Sequence, residues 1–182
     1  GHGGRQHLAP VGVSPGRPAR EPREERGLGG EQVEGRNAVR ELLRAQRRRV
    51  HEIWLASGRD ADAIEEIVEL ARSARVTVRP VTVEQLKEHA RTDAPQGVVA
   101  RAEPVVPADV DELLEAPDAF LVALDGVTDP GNLGAVLRCA ETAGVTGVIV
   151  PRHRAARLSP AAVKAAAGAV EYVSLAVVSG VP

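Results

Sequence analysis

The sequence predicts an α/β protein made of two units. Helix-period and strand-period segments alternate from Gln32 to Ala102. A proline-rich acidic stretch, Glu103 to Asp118, then breaks the pattern. A continuous apolar run at Phe120 to Leu124 opens a second alternation, whose strands read as buried on both faces of a parallel sheet.

In the first unit, residues 31–102, Asn37 to Gln46 reads as a helix with Val39, Leu42 and Leu43 on one face. Val50 to Ala56 reads as a strand. Asp60 to Ala74 is a helix with Ile64, Ile67, Val68 and Ala71 as its apolar stripe and acids in its first turn, where the helix dipole favours them. Val76 to Pro80 is a strand, Val83 to Ala90 a helix and Gly97 to Ala102 a strand. Residues 103–118 form a linker, with a short helix at Ala108 to Glu115. In the second unit, residues 119–182, the run ending at Leu124 is a strand and a helix extends to Ala143. Gly147 to Val150 is a strand. Ser159 caps an alanine-rich helix that opens with Pro160 and runs to Ala169, and Tyr172 to Val178 is a strand. Right-handed crossovers make this the beginning of an open α/β sheet.

Composition narrows the function classes. The net charge of −2 excludes a uniformly polycationic binder, but Arg44, Arg47, Arg48 and Arg49 cluster, as do Arg152, His153, Arg154 and Arg157. Local basic patches bind phosphate whatever the total charge. Aromatics are only 2%, which argues against base stacking on successive aromatic platforms. One cysteine, Cys139, makes no internal disulfide, so a reducing cytoplasm is expected. The histidines show no metal-ligand spacing, and no apolar run is long enough to span a bilayer. Residues 1–30 are poor in large apolar groups and read as a disordered tail. The chain starts with glycine, contains no methionine and stops after a strand-like run, so it is read as incomplete.

Ligands of open α/β sheets bind beyond the carboxyl ends of the strands, where the loop Asp125 to Gly134 is expected. Gly131 and Gly134 permit close backbone approach, Pro130 stiffens the turn, Asp129 caps the loop or the helix start, and Asn132 offers an amide. Leu133, Val136, Leu137 and Ala140 form the apolar stripe of the next helix. Arg138 falls on another face, one to two turns in, where a guanidinium can hold phosphate with two prongs. Spacing alone fits a plain turn equally well, with Arg138 paired to Glu141 on a solvated face.

The stretch Asp125-Gly126-Val127-Thr128-Asp129-Pro130-Gly131-Asn132-Leu133-Gly134-Ala135-Val136-Leu137-Arg138 resembles the first signature motif of the SpoU (TrmH-like) branch of the SPOUT RNA methyltransferases. Gly35-Arg36-Asn37-Ala38-Val39 with Leu42-Leu43, and Ala94-Pro95-Gln96-Gly97, resemble the start and end of that family's RNA substrate-binding domain. Val148-Ile149-Val150-Pro151 and Ser159 through Lys164 to Glu171 resemble the next part of its catalytic domain. The resemblance is closest to the bacterial 23S rRNA (guanosine-2′-O-)methyltransferases.

The resemblance implies a small ribosomal-protein-like αβ domain followed by the first part of an α/β-knot (SPOUT) methyltransferase domain. It implies methyl transfer from S-adenosylmethionine to a ribose 2′-hydroxyl of RNA, with a guanosine of 23S rRNA as the expected substrate. It further implies a cytoplasmic location and a homodimer at full length. Arg138 matches the family's catalytic arginine, with Asn132 positioning Arg138 or the ribose. Arg36, Arg47, Arg48, Arg152, Arg154 and Lys164 are expected at RNA, with no metal. The family's second and third motifs, which supply most of the cofactor pocket, have no match here. No cofactor-binding residue is therefore assigned to this chain, and it is expected to be inactive alone. The alternatives are a non-catalytic RNA-binding module and a small-ligand α/β protein. Cys139 and Trp54 are expected in the core.

Overall fold

The computed structural model describes residues 27–56, 61–153 and 156–180, without side chains for 61–63. The first unit is β1 (Gln32–Glu34), α1 (Arg36–Ala45), β2 (Val50–Ala56), α2 (Ala61–Ser73), β3 (Thr77–Val81), α3 (Val83–His89) and β4 (Val98–Ala102). Its sheet runs β1-β4-β2-β3, antiparallel except for the parallel β2–β3 pair. The α1 stripe is buried as read, with Ala38 joining Val39, Leu42 and Leu43. Gln46 ends that helix in the left-handed region. A reciprocal capping box between Thr82 and Gln85 starts α3.

The second unit follows α4 (Val110–Glu115): β5 (Leu121–Ala123), α5 (Pro130–Thr142), β6 (Gly147–Pro151), α6 (Pro160–Ala165), a turn of 3-10 helix (Ala169–Glu171) and β7 (Ser174–Val178). Its three parallel strands run β5-β6-β7. β5 is an edge strand of three residues in this sheet. Leu121 and Val122 are half-buried, and Ala123 and Phe120 are exposed. The expectation of burial on both faces is thus corrected: hydrophobicity gives the strand but not its place in the sheet. The alanine-rich helix ends at Ala165, not Ala169, because Ala167 and Gly168 turn to positive φ. A Cβ on Gly168 would lie 2.4 Å from Glu41 Cβ.

The two units share one apolar core. Val39, Leu42 and Val98 of the first unit belong to the same cluster as Leu133, Leu137, Val148, Val163 and Leu175 of the second. The presumed linker is structured at its start. Val105 exchanges backbone hydrogen bonds with Leu28 and Gly29 (2.8 and 2.9 Å), and Gly30 N–H donates to Leu158 O at 2.8 Å. Residues 28–30 therefore form a strap across the seam and not part of a tail. Residues 1–26 lie outside the described residues. Trp54 is half-buried, its ring 4.4 Å from that of His89.

Candidate functional site

Asp129 caps α5, its carboxylate accepting from Asn132 N–H at 2.7 Å, and Pro130 occupies the first turn, where its missing N–H costs nothing. Leu133, Leu137 and Ala140 are buried along one side. Gly134 makes the close approach expected of it, but toward a helix. A Cβ there would stand 2.5 Å from Ala165 Cβ and 2.6 Å from Ala162 O, so α5 and α6 meet almost backbone to backbone.

This packing brings Arg138 to the seam between the units. The helix begins at Pro130, so at 1.5 Å per residue Arg138 lies about 12 Å along it, beyond two turns. It lines a cleft of about 630 Å³ at the seam, between α6 and the loop that joins α3 to β4. Lys164 lines the same cleft from α6, together with Asn37 of α1 and Arg91 and Gln96 of the loop. Lys164 Nζ donates to Ala94 O, tying α6 to that loop across the seam.

The cleft is cationic. Arg91, Arg138 and Lys164 face Asp93, while the fifth charged residue, Glu34, is buried and committed to backbone and side-chain donors. Among the described residues no carboxylate lies within ion-pair distance of Arg91, Arg138 or Lys164, so the expected alternative pairing of Arg138 with Glu141 is not formed. Arg91, Asn37 and Gln96 were missed as site residues. Asn37 and Gln96 stand inside Gly35-Arg36-Asn37-Ala38-Val39 and Ala94-Pro95-Gln96-Gly97, whereas Arg91 carries no signal beyond its closeness to the latter.

The other expected residues scatter. Asn132 and Arg138 are six residues apart, hence about 120° apart around the helix, and share no hydrogen bond. Arg36 braces the loop, its N–H and Nε donating to Gln96 Oε1 and Gln96 O at 3.0 and 3.2 Å. Arg47 is exposed and donates to Tyr172 O at 3.2 Å. Arg48 turns inward, away from where an RNA contact was expected. Its guanidinium is buried against Glu171 (2.6 and 3.0 Å) and also donates to Gly30 O and Glu103 O. Arg152 lines a separate cavity of about 610 Å³ beside β6 and β7 with His153, Arg157, Leu133, Val150 and Leu175. Arg154 lies outside the described residues. Cys139 is exposed, contrary to expectation, because its helix position is about 100° beyond Ala140 and off the buried arc. Among the described residues no cluster could hold a metal ion and no helix is long and apolar enough to cross a membrane.

Fold and site together define a two-unit α/β protein with a cationic cleft where the units join. Comparison with known proteins gives this architecture a family. Residues 32–108 match the model for RNA 2′-O ribose methyltransferase substrate binding, and residues 119–181 match the model for the SpoU rRNA methylase family. The chain is 42% identical over 154 residues to the 23S rRNA (guanosine-2′-O-)-methyltransferase RlmB of Pseudomonas syringae pv. tomato, covering 82% of this chain and 61% of that protein. It is 38% identical over 149 residues to RlmB of Escherichia coli, covering 80% and 61%. Among solved structures, the AdoMet-bound rRNA methyltransferase from Sinorhizobium meliloti superposes with a TM-score of 0.66 at 25% identity, covering 85% of this chain and 55% of that one. The SpoU methyltransferase AviRb from Streptomyces viridochromogenes, in complex with AdoMet, does so with 0.65 at 27%, covering 81% and 54%. The chain belongs to the SpoU family of RNA methyltransferases, and it spans 61% of the length of these RlmB relatives.

Proposed function

We propose that this chain is the RNA-engaging part of an S-adenosylmethionine-dependent RNA 2′-O-methyltransferase whose substrate is a guanosine of 23S rRNA. The observation that carries the reading is Arg138 at the seam, in one cleft with Lys164, between the unit matched to substrate binding and the unit matched to the methylase. A guanidinium is a very poor base but a strong two-pronged phosphate ligand. Arg138 therefore holds a substrate phosphate and orients the neighbouring 2′-hydroxyl, and Lys164 adds a second positive charge. Asn132, turned away from Arg138, is assigned to the ribose. Arg36, Arg47, Arg152 and Arg154 are assigned to outlying phosphates. The cytoplasm, where ribosomal RNA is handled, is the proposed location, and the full-length enzyme is proposed to be a homodimer.

Among the described residues, the polar side chains lining the cavity beside β6 and β7 are Arg152, His153 and Arg157. No cofactor-binding residue is assigned to the chain, and no transfer of methyl by these 182 residues alone is expected. The basic lining of that cavity suits phosphate and favours the second reading, an RNA-binding module without catalysis. Binding of a labelled RNA stem–loop by the chain and by Arg138→Ala tests the first reading. A loss of roughly tenfold in affinity is expected, and unchanged affinity contradicts it. A full-length protein that binds rRNA yet transfers no methyl from labelled S-adenosylmethionine would establish the second.

A further inference from the structure

We infer that Arg91 is a second phosphate-binding residue, facing Arg138 across the seam, and that the buried carboxylate of Glu34 positions it. This rests on the reading of the cleft as an RNA site. The loop at residues 90–97 has no regular secondary structure, yet it is held along its length. Glu34, fully buried at 0% exposure, accepts from Arg91 N–H at 2.6 Å and from Thr92 N–H at 3.1 Å, and also from the Thr92 hydroxyl. Gln32 Nε2 donates to Glu34 Oε1 at 2.6 Å and to His89 O at 2.9 Å, fixing the carboxylate and the end of α3 together. Pro95 is buried, Ala94 O is taken by Lys164 Nζ, and Gln96 is braced by Arg36.

A buried carboxylate is costly unless its oxygens are satisfied, and here they are satisfied by the backbone of this loop. The outcome is a rigid platform on which the Arg91 side chain is left exposed in the cleft. Arg91 stands on the substrate-binding unit, and Arg138 and Lys164 stand on the methylase unit. A phosphodiester backbone entering the seam thus meets cations on both walls, which registers the RNA against both units at once. Asp93 is the opposing charge in the same cleft and limits attraction for phosphates lying near the loop.

The test is the salt dependence of binding of a fluorescein-labelled RNA stem–loop to the 182-residue chain over about 50–200 mM potassium chloride. Arg91→Ala is expected to weaken binding roughly tenfold and to reduce the slope of log K against log salt by about 0.7 to 1. Arg91→Lys is expected to restore the slope, and Asp93→Asn to tighten binding. Thr92→Val and Glu34→Gln are expected to weaken binding in the wild-type background and to have no further effect in Arg91→Ala. If Arg91→Ala leaves affinity and slope unchanged while Arg138→Ala weakens binding, the inference falls and the proposed function stands. If neither changes binding, both fall. If Thr92→Val and Glu34→Gln weaken binding equally with and without Arg91, the positioning role of Glu34 is overturned.

Discussion

Arg48 shows how a run of like charges divides once the chain folds. It stands in a run of arginines at the end of a helix, which is what a phosphate-binding patch looks like in one dimension. In the fold, Arg47 stays at the surface and Arg48 turns inward to Glu171, both side chains nearly inaccessible at 7% and 2%. Nothing near Arg48 in the sequence announces a partner 123 residues away. Removing one member of such a pair leaves an unpaired buried charge. Arg48→Met is therefore expected to cost about 3–5 kcal/mol in urea-induced unfolding, and Arg48→Met with Glu171→Leu to recover most of it. Additive losses in the double variant would contradict the assignment. Arg138 fared better. Its outward face was legible from spacing, and its depth along α5 depended on where Asp129 caps the helix.

At the scale of elements, type and order were largely legible. The helices from Arg36 to His89 fall within two residues of their expected bounds, because their apolar stripes coincide with what the sheet buries. The short β1 was missed, since three residues carry no periodicity and its pairing with β4 is set by tertiary contact. The end of α6 was missed because a run of alanines has no punctuation until Gly168, whose conformation answers to Glu41 on α1. Gly134 was legible as a close approach, but spacing could not say to what. Gly134→Ala is expected to cost about 1–3 kcal/mol of stability, because the added methyl meets Ala162 O and Ala166 N, backbone atoms that cannot swing aside. Chemical denaturation measures this, and a neutral substitution would show that α5 and α6 separate at little cost.

Across the whole molecule, the seam is both the structural junction and the candidate site. Arg48 with Glu171, Lys164 with Ala94 O, and Tyr172 with Glu41 at 2.8 Å all cross it. The last contact is pH-dependent. Burial pushes the Glu41 carboxyl up, but hydrogen bonds from Tyr172 and Arg40 and the charges of Arg44 and Arg40 leave it below its ordinary value. Burial, and then the hydrogen bond to Glu41, raise the Tyr172 phenol. The depressed carboxyl contributes stability above the ordinary glutamate range that is lost as pH falls through its folded value. The raised phenol contributes stability below the ordinary tyrosine value that is lost as pH rises through its folded value. The advantage of the wild-type chain over Tyr172→Phe in urea midpoint is expected to be greatest near neutral pH and to shrink at both extremes. A difference independent of pH would contradict this linkage.

Charge counting along the sequence pointed to two basic clusters, whereas the fold builds its cationic cleft from three residues that belong to neither: Arg91, Arg138 and Lys164. The direct test of that placement is photocrosslinking of 4-thiouridine-substituted RNA to the chain, with the adducts mapped by mass spectrometry. Adducts concentrated in residues 91–97 and on α5 and α6 around Arg138 and Lys164 are expected. Adducts confined to the cavity beside β6 and β7, or to Arg47 and Arg49, would contradict the account.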